Sequence, residues 1–201
     1  MIPFLAKLNR ADDVLLPLAA RLVFACVLLG YFWSSGLTKL DGVFTPSLGA
    51  FAQIFPRAIE EAGFDVSKFG VFHRGVALAG AWAELVLPAL IVLGLTTRLA
   101  ALGMVGFVIV QSATDIIGHK AGAETIGAWF DRASDALILD QRALWMLLFL
   151  TLILKGAGPL SLDRLVAVGL ARGQGQDAAQ AAHGNREHGK DAKAKGQPDR
   201  G

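Results

Sequence analysis

Two charged residues interrupt long apolar stretches of the chain. Arg21 is the only charge in Val14–Leu37, and Glu84 is the only charge in Gly75–Thr97. A charged side chain at the centre of a membrane helix costs roughly 2.5–3.5 kcal/mol on insertion scales, so such residues usually have partners. If the two stretches are antiparallel neighbours, a long arginine side chain reaches the carboxylate, and we expect an Arg21–Glu84 ion pair. This pair either fixes helix packing or handles a proton or a ligand.

A second set of polar residues is spaced so that its members lie on one face of a helix. Gln111, Asp115 and His119 are four residues apart and therefore share one helix face. An apolar pocket that ends in a few polar groups suits a quinone head group, which needs hydrogen-bond donors and a proton route. The alternative interpretation is a helix end hydrated by water at the membrane surface.

The elements that position these residues are predicted to be membrane helices. A helix needs about 20 apolar residues to cross a hydrocarbon core about 30 Å thick. Four segments meet or approach this length, the last only if it continues past Lys155 towards Ala157: Val14–Leu37, Gly75–Leu95, Leu99 to about Gly118, and Ala143–Leu154. We therefore predict an all-α, polytopic membrane protein built as a four-transmembrane-helix bundle.

The two longer loops carry apolar residues at helical spacing, which is typical of short helices lying in the membrane interface. In the first loop the pattern is interrupted or begins near Pro56. Its members are Leu48, Phe51, Ile54, Phe55, Ile59 and Ala62, and those of the second loop are Ile126, Trp129, Phe130, Ala133 and Leu137. These helices either cover the end of the bundle or form a gate or docking surface.

Charge and composition divide the chain into three parts. Residues 1–13 are predicted to be a cytoplasmic N-terminal segment, and residues 14–165 the four-helix domain. Residues 166–201 form a hydrophilic tail that is almost free of apolar side chains other than alanine from Arg172 onward, so we predict disorder. The placement of Lys and Arg favours both termini in the cytoplasm and both long loops outside.

Several classes of protein are excluded by the sequence. Hydrophobic residues make up 54% of the chain, and Cys26 is the single cysteine, which excludes a disulfide scaffold and thiol redox chemistry within the chain. A net charge of +2 with no basic face outside the tail argues against nucleic-acid binding. We find no nucleotide-binding motif, metal site or self-sufficient redox centre, so no catalytic residue is assigned and enzymatic activity stays an open question.

The chain resembles the DoxX family of small four-helix bacterial membrane proteins over about Leu15–Leu165. The resemblance rests on three short motifs and their spacing. These are Arg21-Leu22-Val23-Phe24 followed by Gly30 and Gly36-Leu37-Thr38-Lys39-Leu40, then Glu84 leading into Leu93-Gly94-Leu95-Thr96-Thr97-Arg98-Leu99-Ala100, and finally the run from Lys155 to Asp163.

The resemblance implies a protein of the bacterial cytoplasmic membrane that is a subunit or accessory of a membrane oxidoreductase passing electrons to quinone. It implies other subunits of such a complex as partners, besides the lipid bilayer. Arg21, Lys39, Glu84 and Arg98 are its family-like polar positions. The alternative is a small membrane transporter, or an assembly or scaffold factor without a redox role.

Overall fold

The computed structural model describes residues 2–169, with side chains from Asp12 onward. Within this part of the chain, four helices are long and apolar enough to cross a membrane. We call them spanning helices 1 to 4, and they cover Asp12–Thr38, Val71–Leu93, Thr97–Gly118 and Leu137–Lys155. The prediction of an all-α, four-helix membrane fold is therefore confirmed.

Spanning helix 1 is the last part of a longer continuous helix. This begins as Ile2–Phe24, passes through a π-helical turn at Ala25–Leu29 and ends as Gly30–Thr38. It therefore starts inside the segment 1–13 that the sequence analysis separated from the bundle. The apolar run from Val14 identifies the part of the helix that is predicted to cross the membrane, but the helix itself begins earlier, at Ile2.

A tight turn joins spanning helices 2 and 3 and makes them antiparallel neighbours. Gly94 ends Val71–Leu93 in the left-handed region, with φ of 68°, and its N–H donates to Ile91. This is the conformation in which glycine commonly terminates a helix. Spanning helix 3 then runs through Thr97–Ala113 and a π-helical turn at Thr114–Gly118. We call this end of the bundle the turn end and the opposite end the loop end.

Spanning helix 4 gains its length at its start. A π-helical turn at Leu137–Gln141 leads into Arg142–Lys155. The predicted continuation beyond the terminal lysine is wrong, because Gly156 adopts φ of 78° and ends the helix. At the other end the carboxylate of Asp140 accepts the N–H of Ala136 at 3.0 Å, which anchors the first turn.

The first long loop folds over the loop end of the bundle. A short antiparallel hairpin, Leu40–Gly42 with Thr45–Pro46, leads into two helices, Leu48–Ile54 and Pro56–Glu61. We call these two helices the roof. The predicted interruption near Pro56 is confirmed, since this proline begins the second roof helix.

The second long loop departs from its predicted pattern. Its only α-helical segment among the described residues is Ala123–Ile126, and the predicted helical face from Ile126 to Leu137 is wrong. Gly127 and Phe130 both adopt positive φ, which stops helical propagation. The helical spacing of its apolar residues is therefore not supported by a helical backbone.

Two buried apolar clusters hold these elements together. The larger lies within the bundle and includes Phe24, Phe32 and Phe149. The smaller packs the roof, through Phe51 and Ile59, onto spanning helix 2 and its preceding loop. Of the described residues, 2–161 form one compact unit. Residues 162–169, which include the predicted boundary at 165/166, are helical, and the rest of the predicted disordered tail lies outside the described residues.

Candidate functional site

Lys39 and Glu84 form a buried ion pair between spanning helices 1 and 2. The ammonium Nζ of Lys39 donates to Oε1 and Oε2 of Glu84 at 3.0 and 2.8 Å, and to Oγ of Ser35 at 2.6 Å. The two charged side chains are only 5% and 2% exposed. Gly36 permits this approach, because an added Cβ would lie 3.1 Å from Cβ of Glu84. Lys39 is thus part of the interior instead of an anchor at the membrane surface.

Arg21 does not pair with Glu84, and this expectation from the sequence is wrong. Its guanidinium donates to the main-chain carbonyls of Ile91 at 3.0 Å, Val92 at 2.6 Å and Ala157 at 3.0 Å. Glu84 precedes Ile91 by seven residues, which is about 10 Å along a helix. The last carbonyls of a helix lack intrahelical partners and attract cations, so Arg21 caps spanning helix 2.

Arg98 also lies at the turn end. Its Nη2 donates to the carbonyl of Leu154 at 3.3 Å, in the last turn of spanning helix 4. The family-like positions therefore fall into two groups. Arg21 and Arg98 hold main-chain carbonyls at the turn end, whereas Lys39 and Glu84 form the buried pair nearer the loop end.

Asp115 has a cationic partner that the sequence analysis did not single out. Nη2 of Arg142 donates to Oδ2 of Asp115 at 2.6 Å, and Nη1 donates to Oγ of Ser112 at 2.9 Å. The Arg142 side chain is 3% exposed. The only signal for it was a basic residue just before the apolar run Ala143–Leu154. Because spanning helix 4 begins earlier than predicted, this arginine lies inside the bundle.

Gln111 and His119 complete the polar stripe on spanning helix 3. Nε2 of Gln111 donates to the hydroxyl of Tyr31 at 3.2 Å, while its Oε1 is buried without a hydrogen-bond partner among the described residues. Nε2 of His119 lies 3.1 Å from the carbonyl oxygen of Gln53 in the roof. Gln111 thus retains an unused acceptor inside the protein.

Five of these side chains line one cavity of about 450 Å³, which we call the cleft: Lys39, Glu84, Gln111, Asp115 and His119. The cleft lies between spanning helices 2 and 3, beneath the first roof helix. Its lining residues are Lys39, Gln53, Ile54, Val76, Ala79, Gly80, Ala83, Glu84, Leu87, Gly103, Gly106, Phe107, Val110, Gln111, Thr114, Asp115 and His119. The structure thus brings together the charge at Glu84 and the stripe of spanning helix 3, which the sequence presented as separate features.

The cleft is apolar towards the turn end and polar towards the loop end. Leu87, Gly103 and Phe107 line the apolar half. Gly103 and Asp115 are twelve residues apart, which is about 18 Å along the helix. The polar half carries the paired charges, so its formal charges compensate one another. Such a site accommodates an elongated molecule with a polar head and an apolar remainder.

Four spanning helices around a half-apolar cleft define a small multi-pass membrane protein. The DoxX family model matches residues 16–114, and the chain belongs to this family. The match includes Arg21, Lys39, Glu84 and Arg98, and it ends just before Asp115. Comparisons with curated proteins and with solved structures give no significant match.

The described residues contain no group of three or more His, Cys, Asp or Glu side chains that could hold a metal ion. The side chains that line the cleft offer chemistry of their own. It comprises hydrogen bonding by Gln111, proton exchange at His119 or Asp115, and a buried ion pair.

Proposed function

We propose that this DoxX-family protein binds quinone in the cleft as a subunit or accessory of a membrane oxidoreductase. One observation carries this proposal: the cleft has an apolar half, and Gln111, Asp115 and His119 line its other, polar half. Ligand pockets are mostly apolar, with a few placed polar groups, and commonly measure about 300–1,000 Å³. The cleft falls within this range.

The unused groups of the polar half fit a quinone head. The buried Oε1 of Gln111 has no partner among the described residues, and it can accept a hydroxyl of the reduced form. One N–H of the same amide donates to Tyr31, and the other can donate to a carbonyl of the oxidised form. When bound, quinone would supply two-electron carrier chemistry to the site.

The other polar residues hold and orient this end of the cleft. Arg142 fixes the carboxylate of Asp115 through a charge-assisted hydrogen bond. His119 is tied to the roof through Gln53 and retains a second ring nitrogen that can take or give a proton. Lys39 and Glu84 neutralise each other, so the site presents no net charge to an uncharged ligand.

The proposed location is the bacterial cytoplasmic membrane, with both termini and the turn end in the cytoplasm. Lys7 and Arg10 near the N-terminus, and Arg98 at the turn end, follow the bias of cytoplasmic segments for basic residues. In this orientation the roof and the polar half of the cleft lie towards the outer face.

The proposal is tested by measuring quinone in protein purified from native membranes in a mild detergent. We expect the wild type to retain quinone, and Gln111→Leu and Asp115→Asn to lose it. Thr151→Val is the matched control, because Thr151 lies on spanning helix 4, bonds only its own helix at Leu147 and does not line the cleft. A wild type that neither retains nor rebinds quinone contradicts the proposal.

The same preparation distinguishes the alternative function. A transporter requires solute flux across proteoliposomes, and this flux should vanish in Glu84→Ala. Flux without quinone binding would replace the redox proposal with transport. Loss of a co-purifying complex, with neither flux nor quinone binding, would instead identify an assembly or scaffold factor.

A further inference from the structure

The cleft is closed on the side of spanning helix 1. Phe32 is fully buried and its ring packs edge-on against Phe107, with centroids 6.0 Å apart. The neighbouring residue Tyr31 accepts a hydrogen bond from Gln111 of spanning helix 3. A ligand therefore does not enter past spanning helix 1.

The roof closes the cleft at the loop end. A Cβ added at Gly80 would lie 3.1 Å from Cδ1 of Ile54, so the first roof helix packs directly on spanning helix 2. A Cβ added at Gly118 would lie 2.9 Å from Cγ of Pro56, so the second roof helix packs as closely on spanning helix 3. Two glycine contacts thus seat the roof against both walls.

A third side of the cleft is a slot between spanning helices 2 and 3. Its rim is formed by Val76 and Ala79 on one helix and by Gly106 and Val110 on the other, and all four are exposed. A Cβ added at Gly106 meets no atom within 4 Å. Because both helices span the membrane, this slot faces the acyl chains of the bilayer.

The charges of the cleft select an uncharged head over a phospholipid. The Lys39 ammonium already donates to Ser35 and to both oxygens of Glu84. A phosphate would have to displace these bonds within a buried pair, which leaves a charge unpaired. A neutral head requires no such exchange and can use the free acceptor of Gln111.

We infer that the cleft takes its ligand sideways from the bilayer, and that this ligand is a quinone carrying a single flexible apolar tail. The head lies against Gln111 and Asp115, and the tail leaves along Gly103 and Gly106 through the slot. This inference rests on the proposed function and adds to it the entry route and the requirement for a tail.

The test compares a decyl-tailed benzoquinone with the same benzoquinone head lacking a tail. Each is titrated into the full-length protein in lipid nanodiscs, and binding is followed by quenching of tryptophan fluorescence. Gly106→Leu places an apolar side chain in the slot, at a position where an added Cβ meets no atom within 4 Å. Gly30→Leu is the matched control, since Gly30 is also exposed on a spanning helix with open space at its Cβ but does not line the cleft.

We expect the wild type to bind the tailed quinone more tightly than the tailless one, because buried methylene groups add affinity. Gly106→Leu should weaken binding of the tailed quinone at least about tenfold and leave the tailless one nearly unchanged. Gly30→Leu should match the wild type. Ala79→Leu, on the opposite rim of the slot, should weaken binding of the tailed quinone in the same way. This variant replaces Gly106→Leu in the test if Gly106→Leu fails to fold.

Each other outcome has a definite meaning. Equal affinity of the wild type for both quinones overturns the tail and its route but leaves quinone binding standing. Unchanged affinity for the tailed quinone in both Gly106→Leu and Ala79→Leu also overturns the entry route through the slot, while quinone binding itself still stands. A wild type that binds neither quinone removes the proposed function itself. A phospholipid that is retained by the wild type and lost in Gly106→Leu, without quinone binding, assigns the slot to lipid.

Discussion

Lys39 and Glu84 meet in the interior of the bundle, where one ammonium donates to both carboxylate oxygens at 3.0 and 2.8 Å. Lys39 directly follows spanning helix 1 and Glu84 lies on spanning helix 2, and Gly36 lets the two helices approach at this level. Desolvation offsets much of the attraction in a buried pair, whereas removal of one partner leaves an uncompensated charge. The pair therefore makes the cleft neutral and fixes which helix surfaces face each other.

Lys39→Met should destabilise the protein strongly, because it leaves the Glu84 carboxylate buried without its cation. Loss of one partner of a buried pair costs about 3–5 kcal/mol. The double variant Lys39→Met with Glu84→Leu removes both charges and should recover most of this loss. Unfolding in detergent, followed by circular dichroism, measures both. Equal instability of the single and double variants would contradict a direct pairing.

Arg21→Lys should lower stability without affecting quinone binding. A lysine cannot reproduce the guanidinium's simultaneous bonds to the carbonyls of Ile91, Val92 and Ala157. Each lost hydrogen bond from a charged donor is worth about 1.5–3 kcal/mol. Thermal unfolding and quinone content should be measured on the same sample. An unchanged melting temperature with lost quinone would show that Arg21 serves the ligand instead of the helix end.

Gly94→Ala should destabilise the turn between spanning helices 2 and 3. Gly94 has φ of 68°, and an added Cβ would lie 2.7 Å from Cβ of Ser161 and 2.9 Å from the Arg21 guanidinium. The left-handed conformation alone costs a non-glycine residue about 1–2 kcal/mol. Gly30→Ala is the control, since Gly30 is helical with open space and should gain up to about 1 kcal/mol. Similar melting temperatures for the two variants would count against this account of the turn.

Arg142 should act on the ligand through Asp115, because it bonds this carboxylate but does not line the cleft. Arg142→Met should reduce both stability and quinone affinity, while Arg142→Lys should restore part of the affinity. In the Arg142→Met background, Asp115→Asn should cause little further loss of quinone, since coupled residues are not additive. Fully additive losses in a double-mutant cycle would mean that the two residues act separately.

The spanning helices were predictable because about 20 apolar residues in succession have few other stable arrangements. The fourth was misplaced at its ends because its start depends on Asp140 capping Ala136, a local contact that hydropathy does not contain. The second loop shows the reverse case. Its apolar residues have helical spacing, yet positive φ at Gly127 and Phe130 prevents the helix.

The partners of buried charges were less predictable than the charges themselves. Glu84 was identified from its apolar surroundings. Arg21 was wrongly predicted to be its partner, because the sequence shows which side chains are charged but not which main-chain carbonyls at a helix end lack a hydrogen bond. Lys39 was recognised only as a family-like position, because the apolar run ends just before it and gives no sign that its side chain is buried. The common face of Gln111, Asp115 and His119 followed from spacing, whereas their position around the same cavity as Glu84 depends on how spanning helices 2 and 3 pack beneath the roof.

Equilibrium binding of the decyl-tailed benzoquinone to the wild type and to Gln111→Leu in nanodiscs tests the central claim most directly. The cleft as described predicts saturable binding of one quinone per chain, weakened at least about tenfold when the amide is removed. Absence of saturable binding to the wild type, or equal affinity in Gln111→Leu, would contradict the claim that this cleft is a quinone site.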